Sequence, residues 1–570
     1  MTTSEASRST LADLIPLIER ANLSPTQKRD QISAVRTLAR LLGAEPRDIA
    51  ADPARLRRRM EAIAPEAEGL SNGRWTNIRS LVGKALSLAR PMQPGRQALP
   101  LTPEWEALLK PLPRNRATRL LAMARYLGAK GVRPADVTLD DLEAYREAIH
   151  GDRLRSKPEQ TWDMIVWTWN ACRREIAGWP DVEIPRIVRR EIYVLDWSAF
   201  PASLKTDVDA FLLRQSGADL DEDGPPRPLR AASLKTRAYQ LRVAASALVH
   251  KGVPPESICS LADVVSLENF KLVLRFLLDR HDGKNSPQVS QMAGFLKGVA
   301  KHWAKADDLI QFKMKNLAAR FPAGPRRLTP KNRERLRPFD DPGAVDRFLI
   351  LPQQIRCAVE KDRRAPKLKA IDAQMAAAIA ILQAVPLRLK NLAQIDMRRN
   401  LVPRGNRVYL VIAENDTKNK APIDFELPPE TIEIIAWYIR DYRPHLLRAE
   451  TDALFPGEGA APKAAYGLGT QIKATVFRFT GLEVNPHLFR HAGAKIFLDL
   501  RPGQYSVVKE VLRHHSFDTT MSFYAGAETR TAGKHFAAVI SERRAKATPP
   551  HRRAKNGGVP GRAKMKEEPK

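Results

Sequence analysis

The feature that most narrows what this chain can fold into is an ordered set of helix stops that comes round three times. At 34–44 the sequence AVRTLARLLGA is apolar at helical spacing and ends at Gly43; Pro46-Arg-Asp-Ile49 follows. Two more helical stretches come next, one near Leu56 and one through Trp75, Ile78, Leu81 and Leu88. The second pass has LLAMARYLGA at 120–129, Pro134-Ala-Asp-Val137, a helix near Leu142 and a closing helix through Trp162, Ile165, Trp169 and Ile176. The third has LRVAASALVHKG at 241–252, Pro255-Glu-Ser-Ile258, a helix through Phe270–Leu278 and a closing one through Met292, Phe295, Val299 and Trp303. Glycine past a helix end adopts the left-handed conformation that other residues avoid, and proline suits the first turn of the next element. Apolar residues three and four apart give each helix one face to bury. The pattern reads as three copies of one small helical unit.

A chain of 570 residues exceeds what one hydrophobic core holds. The breakers divide it into helical modules at 1–95 and 100–190, a third at 228–310, a domain at 335–545 and a tail at 546–570. Pro91-Met-Gln-Pro-Gly95 separates the first two modules, and a stretch from Pro180 to Arg230 separates the second from the third. The segment from Phe321 to Pro330, with Arg326 and Arg327, reads as an interdomain linker whose basic residues can follow a phosphate backbone. The domain at 335–545 is mostly helix with a small β-hairpin. Arg407–Ala413 is β-branched and apolar, Asp416–Lys420 turns, and Ile423–Leu427 alternates as a second strand. The expected class is therefore mainly α with a small β element.

Charge then limits the partner. The formal net charge is +30, an excess that favours a polyanion, and nucleic acid is the commonest large one. Cys172, Cys259 and Cys357 are far apart, so neither a disulfide framework nor a Cys-based zinc site is expected. No apolar run reaches the length of a membrane span, and the first residues lack the apolar core of a signal peptide. A cytoplasmic location is expected.

The chemistry concentrates near the C-terminus. His487 and Arg490 are three apart on a helix and share a face. His514, His515 and Tyr524 follow. Arginine grips anionic oxygens in pairs, histidine moves protons near neutral pH, and tyrosine can attack phosphorus. Such a set suits a phosphodiester better than a carbonyl. Upstream, Arg388 follows Pro386 at the end of the apolar helix from Met375 to Ala384, and by itself it also fits an ordinary arginine near a helix C-terminus. Thr417 and Lys418 sit at the hairpin.

Taken in order, Pro386-Leu-Arg388, Thr417-Lys418, His487-Leu-Phe-Arg490, Leu512-Arg-His514 and Tyr524 resemble the tyrosine recombinase, or phage integrase, family. The resemblance covers 340–545 and extends more faintly back to 230. It implies a catalytic domain preceded by a core-binding-like helical domain, with the first two modules additional. It also implies site-specific cutting and rejoining of double-stranded DNA. Tyr524 would form a 3′-phosphotyrosyl bond, Arg388 and Arg490 would clamp the non-bridging oxygens, and Lys418 would protonate the leaving 5′ oxygen. His487 would accept or hold the tyrosine proton, and His514 would donate to a phosphate oxygen. No cofactor or metal is implied. The partners implied are duplex DNA and a homo- or hetero-tetramer assembled on it, with other recombinases among the candidate subunits. The same sequence leaves open a non-catalytic DNA-binding protein keeping the fold, or a type IB topoisomerase-like activity. Arg513 stands where the family has glycine. The L-x-H template selects His514, while the usual spacing to the tyrosine selects His515. Lys235, Arg237 and Arg242 in the third module, with Arg326 and Arg327 in the linker, are candidate phosphate contacts, each equally a solvated basic side chain. The helix at 529–545, with Phe536, Val539 and Ile540, packs either on a neighbouring subunit or on its own domain. The last thirty residues carry a net +7 and read as a disordered basic tail.

Overall fold

The computed structural model describes residues 9–89, 99–151, 154, 158–185, 193–217, 228–324, 327–417, 421–513, 517–524 and 529–547. It is mainly helical, with one three-stranded antiparallel sheet among the described residues. The chain divides into two compact units, one of Pro185–Arg326 and one that joins 1–184 to 327–570.

The three recurring stops share one backbone solution. Gly43, Gly131 and Gly252 have φ of 64, 77 and 87°. The residue after each donates its N–H five residues back, Ala44 to Ala39, Val132 to Leu127 and Val253 to Leu248. That bond pattern satisfies the last free carbonyls of the helix. A 3-10 turn then opens on proline three residues past each stop, at Pro46–Asp48, Pro134–Asp136 and Pro255–Ser257. One detail differs from the sequence reading. Gly128 lies inside the helix Arg114–Ala129, and the stop is Gly131. A Cβ at Gly128 would come within 2.9 Å of the Thr102 methyl, so that glycine serves close packing.

The unit Pro185–Arg326 buries one core, from Leu204, Val208 and Phe211 to Phe270, Leu277, Met292 and Val299. The first three belong to the helix Ala202–Ser216, which lies within the stretch read from sequence as a linker. Their spacing of three and four residues was the overlooked signal. Asp207 on this helix accepts from the Trp303 indole at 2.9 Å and from the Leu261 N–H at 2.7 Å.

In the other unit the helix Pro366–Ala384 is the centre of the C-terminal region. Nearly every residue from Ala370 to Leu382 is buried, as a helix that is apolar all round requires. Its two buried polar residues are paired. Gln374 donates to the Tyr438 hydroxyl at 3.0 Å and accepts from Lys463 at 2.6 Å, while Asp372 accepts from Arg364 and Arg478 at 2.6 and 2.8 Å. The same Arg478 guanidinium faces Glu66 of the N-terminal module at 3.6 Å. Little water reaches Glu66, and that burial raises its carboxyl above the usual range despite Arg478.

The sheet runs β1 Leu401–Arg404, β2 Arg407–Ile412 and β3 Ile423–Glu426, in that spatial order. The central and third strands match the sequence reading; β1 carries Pro403, which suits an edge strand. Leu410 and Ile412 of β2 point into the core, opposite Phe425 and Ile423 of β3. No helix among the described residues is long and apolar enough to cross a membrane.

Candidate functional site

Four segments far apart in sequence meet at one small cleft that opens to solvent. Its walls are Val385–Arg388 with Asn391, Thr417 with Ala421, Ile423 and Phe425 of β3, and Arg490 with Val511–Arg513. Each wall has a local cause.

The apolar helix ends at Ala384 because Pro386 cannot continue it. Arg388 then has an extended backbone, φ −73° and ψ 143°, as the cap of the short helix Leu389–Ala393. It is thus held at a turn between two helices, and burial lowers its guanidinium's hold on its proton. On the same short helix Asn391 donates its side-chain N–H to the Asp416 carbonyl at 3.1 Å. This amide holds the end of the hairpin. Thr417 is buried, and its hydroxyl closes the hairpin from both sides. It donates to Glu414 O at 3.0 Å and accepts from Ala421 N–H at 3.1 Å. Lys418, between these anchors, lies outside the described residues.

The helix Pro486–Leu500 starts with Asn485 capping the Leu488 N–H at 2.9 Å and proline at its first position. It places His487 and Arg490 on one face, as their spacing predicts. Arg490 is buried and donates to two main-chain carbonyls, Pro386 O and, at 2.5 Å, Leu512 O. It therefore ties together the segments that precede Arg388 and Arg513. The His487 ring keeps an exposed edge, yet protein crowds it enough that burial lowers its proton affinity. The positive charges of Arg490 and then Arg388 lower it further. The histidine is thus biased to its neutral form, which has a free nitrogen to accept a proton.

The segment after it ends the helix Tyr505–Leu512 at Arg513, which takes a left-handed backbone with φ 50° and ψ 48°. His514 and His515 lie outside the described residues, so the choice between them stays where the sequence left it. The helix Phe517–Tyr524 carries the tyrosine as its last residue; the description of that residue stops at its backbone. Its neighbour Phe523 is placed. The Phe523 ring lies 5.6 Å from His491, and His491 stands edge-on to His487 at 5.2 Å. This ring series joins the tyrosine's helix to the His487 helix. Sequence reasoning passed over His491, although it falls four residues after His487, on the same face.

The other candidate phosphate contacts lie each within its own unit. In the unit Pro185–Arg326, Lys235 is exposed. The Arg237 guanidinium lies over the Phe295 ring at 4.3 Å and donates to Gln240 at 3.0 Å. Arg242 faces Asp196 at 3.9 Å. Arg327 is exposed, and Arg326 and residues 548–570 lie outside the described residues. On the helix Thr529–Lys546, Phe536 and Val539 are 70 and 59% exposed, while Ile540 is half-buried.

No family model and no curated protein matches the chain. Among solved structures it is similar to the XerH site-specific recombinase bound to difH substrate in a pre-cleavage complex. That alignment has 12% identity over 73% of this chain and 88% of the other, with a TM-score of 0.26. It is also similar to XerA recombinase, at 13% identity over 57% and 98% of the two chains, with a TM-score of 0.24. Scores this low leave the function to be read from the chain's own residues.

Proposed function

We propose that this chain is a site-specific DNA recombinase that cuts and rejoins duplex DNA through a 3′-phosphotyrosyl intermediate. The observation that carries the reading is the convergence of Arg388, Arg490, the Thr417 loop and the turn after Leu512 on one cleft, with His487 inside the field of both arginines.

In this reading the scissile phosphate enters the cleft with its non-bridging oxygens toward Arg388 and Arg490. The Tyr524 oxygen attacks phosphorus, the bond to the 5′ oxygen breaks, and a 3′-phosphotyrosyl bond forms. His487 receives or holds the tyrosine proton, Lys418 gives one to the departing 5′ oxygen, and His514 donates to a phosphate oxygen. The energy of the ester is kept in the new bond, so a 5′-hydroxyl from another strand reverses the step without ATP. Preorganised guanidinium groups stabilise the charge that builds on phosphorus. The unit Pro185–Arg326 acts as a second DNA-binding domain, and the net charge of +30 supplies the long-range attraction. The exposed Phe536–Val539 face fits assembly with other subunits on the DNA.

The test is covalent capture. A library of random-sequence nicked duplexes is incubated with the protein, and adducts that survive detergent are recovered and sequenced. The wild type is expected to yield adducts at a recurring sequence, and Tyr524→Phe to yield none. Adducts at unrelated sequences together with relaxation of any supercoiled plasmid indicate a topoisomerase. Equal recovery from wild type and Tyr524→Phe leaves only a DNA-binding protein.

A further inference from the structure

We infer that Arg513 is a third guanidinium for the phosphodiester that enters this cleft, beyond Arg388 and Arg490. The inference rests on the reading above and adds a phosphate-contacting residue to it.

Three observations carry it. Arg513 lines the same cleft as Arg388 and Arg490. Its guanidinium sits over the ring of Phe425, 5.6 Å from the centroid, and Phe425 is itself a wall of the cleft. A cation over an aromatic wall of the cleft keeps its positive charge at the cleft. The third is its backbone. With φ 50° and ψ 48°, Arg513 occupies the left-handed region that glycine enters without strain and a branched-off side chain does not. Of the described residues other than glycine only Asp282, Lys305 and Arg513 have positive φ, and of these three Arg513 alone lines the cleft. Strain of this kind persists where the side chain has work to do. The acidic side chain beside it, Glu510, is a weak competitor. It is 3.5 Å away, and the two side chains are 35 and 68% exposed, so water screens the pair.

The mechanics follow from the turn. A glycine there would serve only to end the helix Tyr505–Leu512. Arginine ends it equally, because the left-handed turn forms, and also carries a charge back over β3 into the cleft. Arg490 spends two donors on Pro386 and Leu512, so a further arginine supplies donors that this structural duty withdraws.

The experiment compares wild type, Arg513→Gly, Arg513→Lys and Tyr524→Phe in the covalent-capture assay, with the thermal midpoint measured for each. Arg513→Gly is expected to hold or raise the midpoint, since it releases the backbone strain, while capture slows on the order of tenfold to a hundredfold. Its DNA binding is expected to lose about one phosphate contact's worth of salt dependence. Arg513→Lys, which keeps the charge without the planar fork, is expected to fall between. If wild type captures and Arg513→Gly captures as fast, Arg513 does not contact the phosphate and the inference is overturned while the function stands. If wild type captures no more than Tyr524→Phe, the function falls and takes the inference with it.

Discussion

Arg490 donates to the main-chain carbonyl of Pro386, 104 residues earlier and two before Arg388, so the second arginine of the cleft holds the backbone that carries the first. The same guanidinium reaches Leu512 O, the carbonyl before Arg513. Lysine has one nitrogen and no fork, so Arg490→Lys is expected to serve only one of these segments. Covalent capture should fall on the order of a hundredfold. In urea unfolding, Arg490→Ala should lose about 1–3 kcal/mol for each buried carbonyl left without a partner. An Arg490→Lys variant that captures at the wild-type rate would show that the double tie is dispensable.

His487 should titrate below an ordinary histidine, because burial and the charges of Arg490 and Arg388 all oppose its protonation. Its contribution to stability is complete above the ordinary value of about 6.5 and is lost as pH falls from there toward the lowered folded-state value. The sign follows because the unfolded chain takes up the proton first. Arg388→Ala should raise the His487 value without restoring it fully, since burial is the largest cause. Ring-proton NMR shifts against pH measure both. A His487 that titrates at or above the ordinary value in the wild type would contradict the arrangement.

The Thr417 hydroxyl joins Glu414 O to Ala421 N–H across the three residues that include Lys418. Valine keeps the volume and removes both bonds. Thr417→Val is expected to cost about 1–2 kcal/mol in stability. It should also slow capture at least about tenfold if Lys418 must be held in place for proton transfer. Asn391→Ala, which frees the Asp416 carbonyl, should act in the same direction. Unchanged capture in both would remove the hairpin from the mechanism.

Glu66 meets Arg478 at 3.6 Å, yet burial raises its proton affinity above that of an ordinary carboxylate. The folded state therefore holds this proton more tightly than the unfolded chain does. The resulting penalty is present above the raised value and disappears below the ordinary one near 4.3. Glu66→Gln should thus be as stable as wild type or more so at neutral pH, with the difference closing as the solution is acidified. Chemical unfolding at a series of pH values reads this. A Glu66→Gln protein that is much less stable at pH 7 would show that the pairing with Arg478 outweighs the burial.

Local pattern made the elements legible. The Gly and Pro spacing at 43–46 and 252–255 needs only backbone sterics, and the two strands of the hairpin need only alternation and a turn. The helix Ala202–Ser216 was legible in the same way, although the Pro- and Gly-containing segments on either side resemble a linker. Gly128 misled because a glycine wanted for close packing and one wanted for a left-handed turn look alike in sequence.

Sequence alone determined that His487 and Arg490 share a helix face, because that depends on a spacing of three residues. It also determined the order of the arginine, threonine, histidine and tyrosine segments. Only the tertiary structure decided that Arg490 ties Pro386 to Leu512, that Asn391 holds the hairpin, and that Arg513 bends into the left-handed region beside Phe425. Those choices rest on which buried carbonyl lies within reach of which donor, a matter of packing between segments up to a hundred residues apart. A pattern along the chain carries no record of such distances.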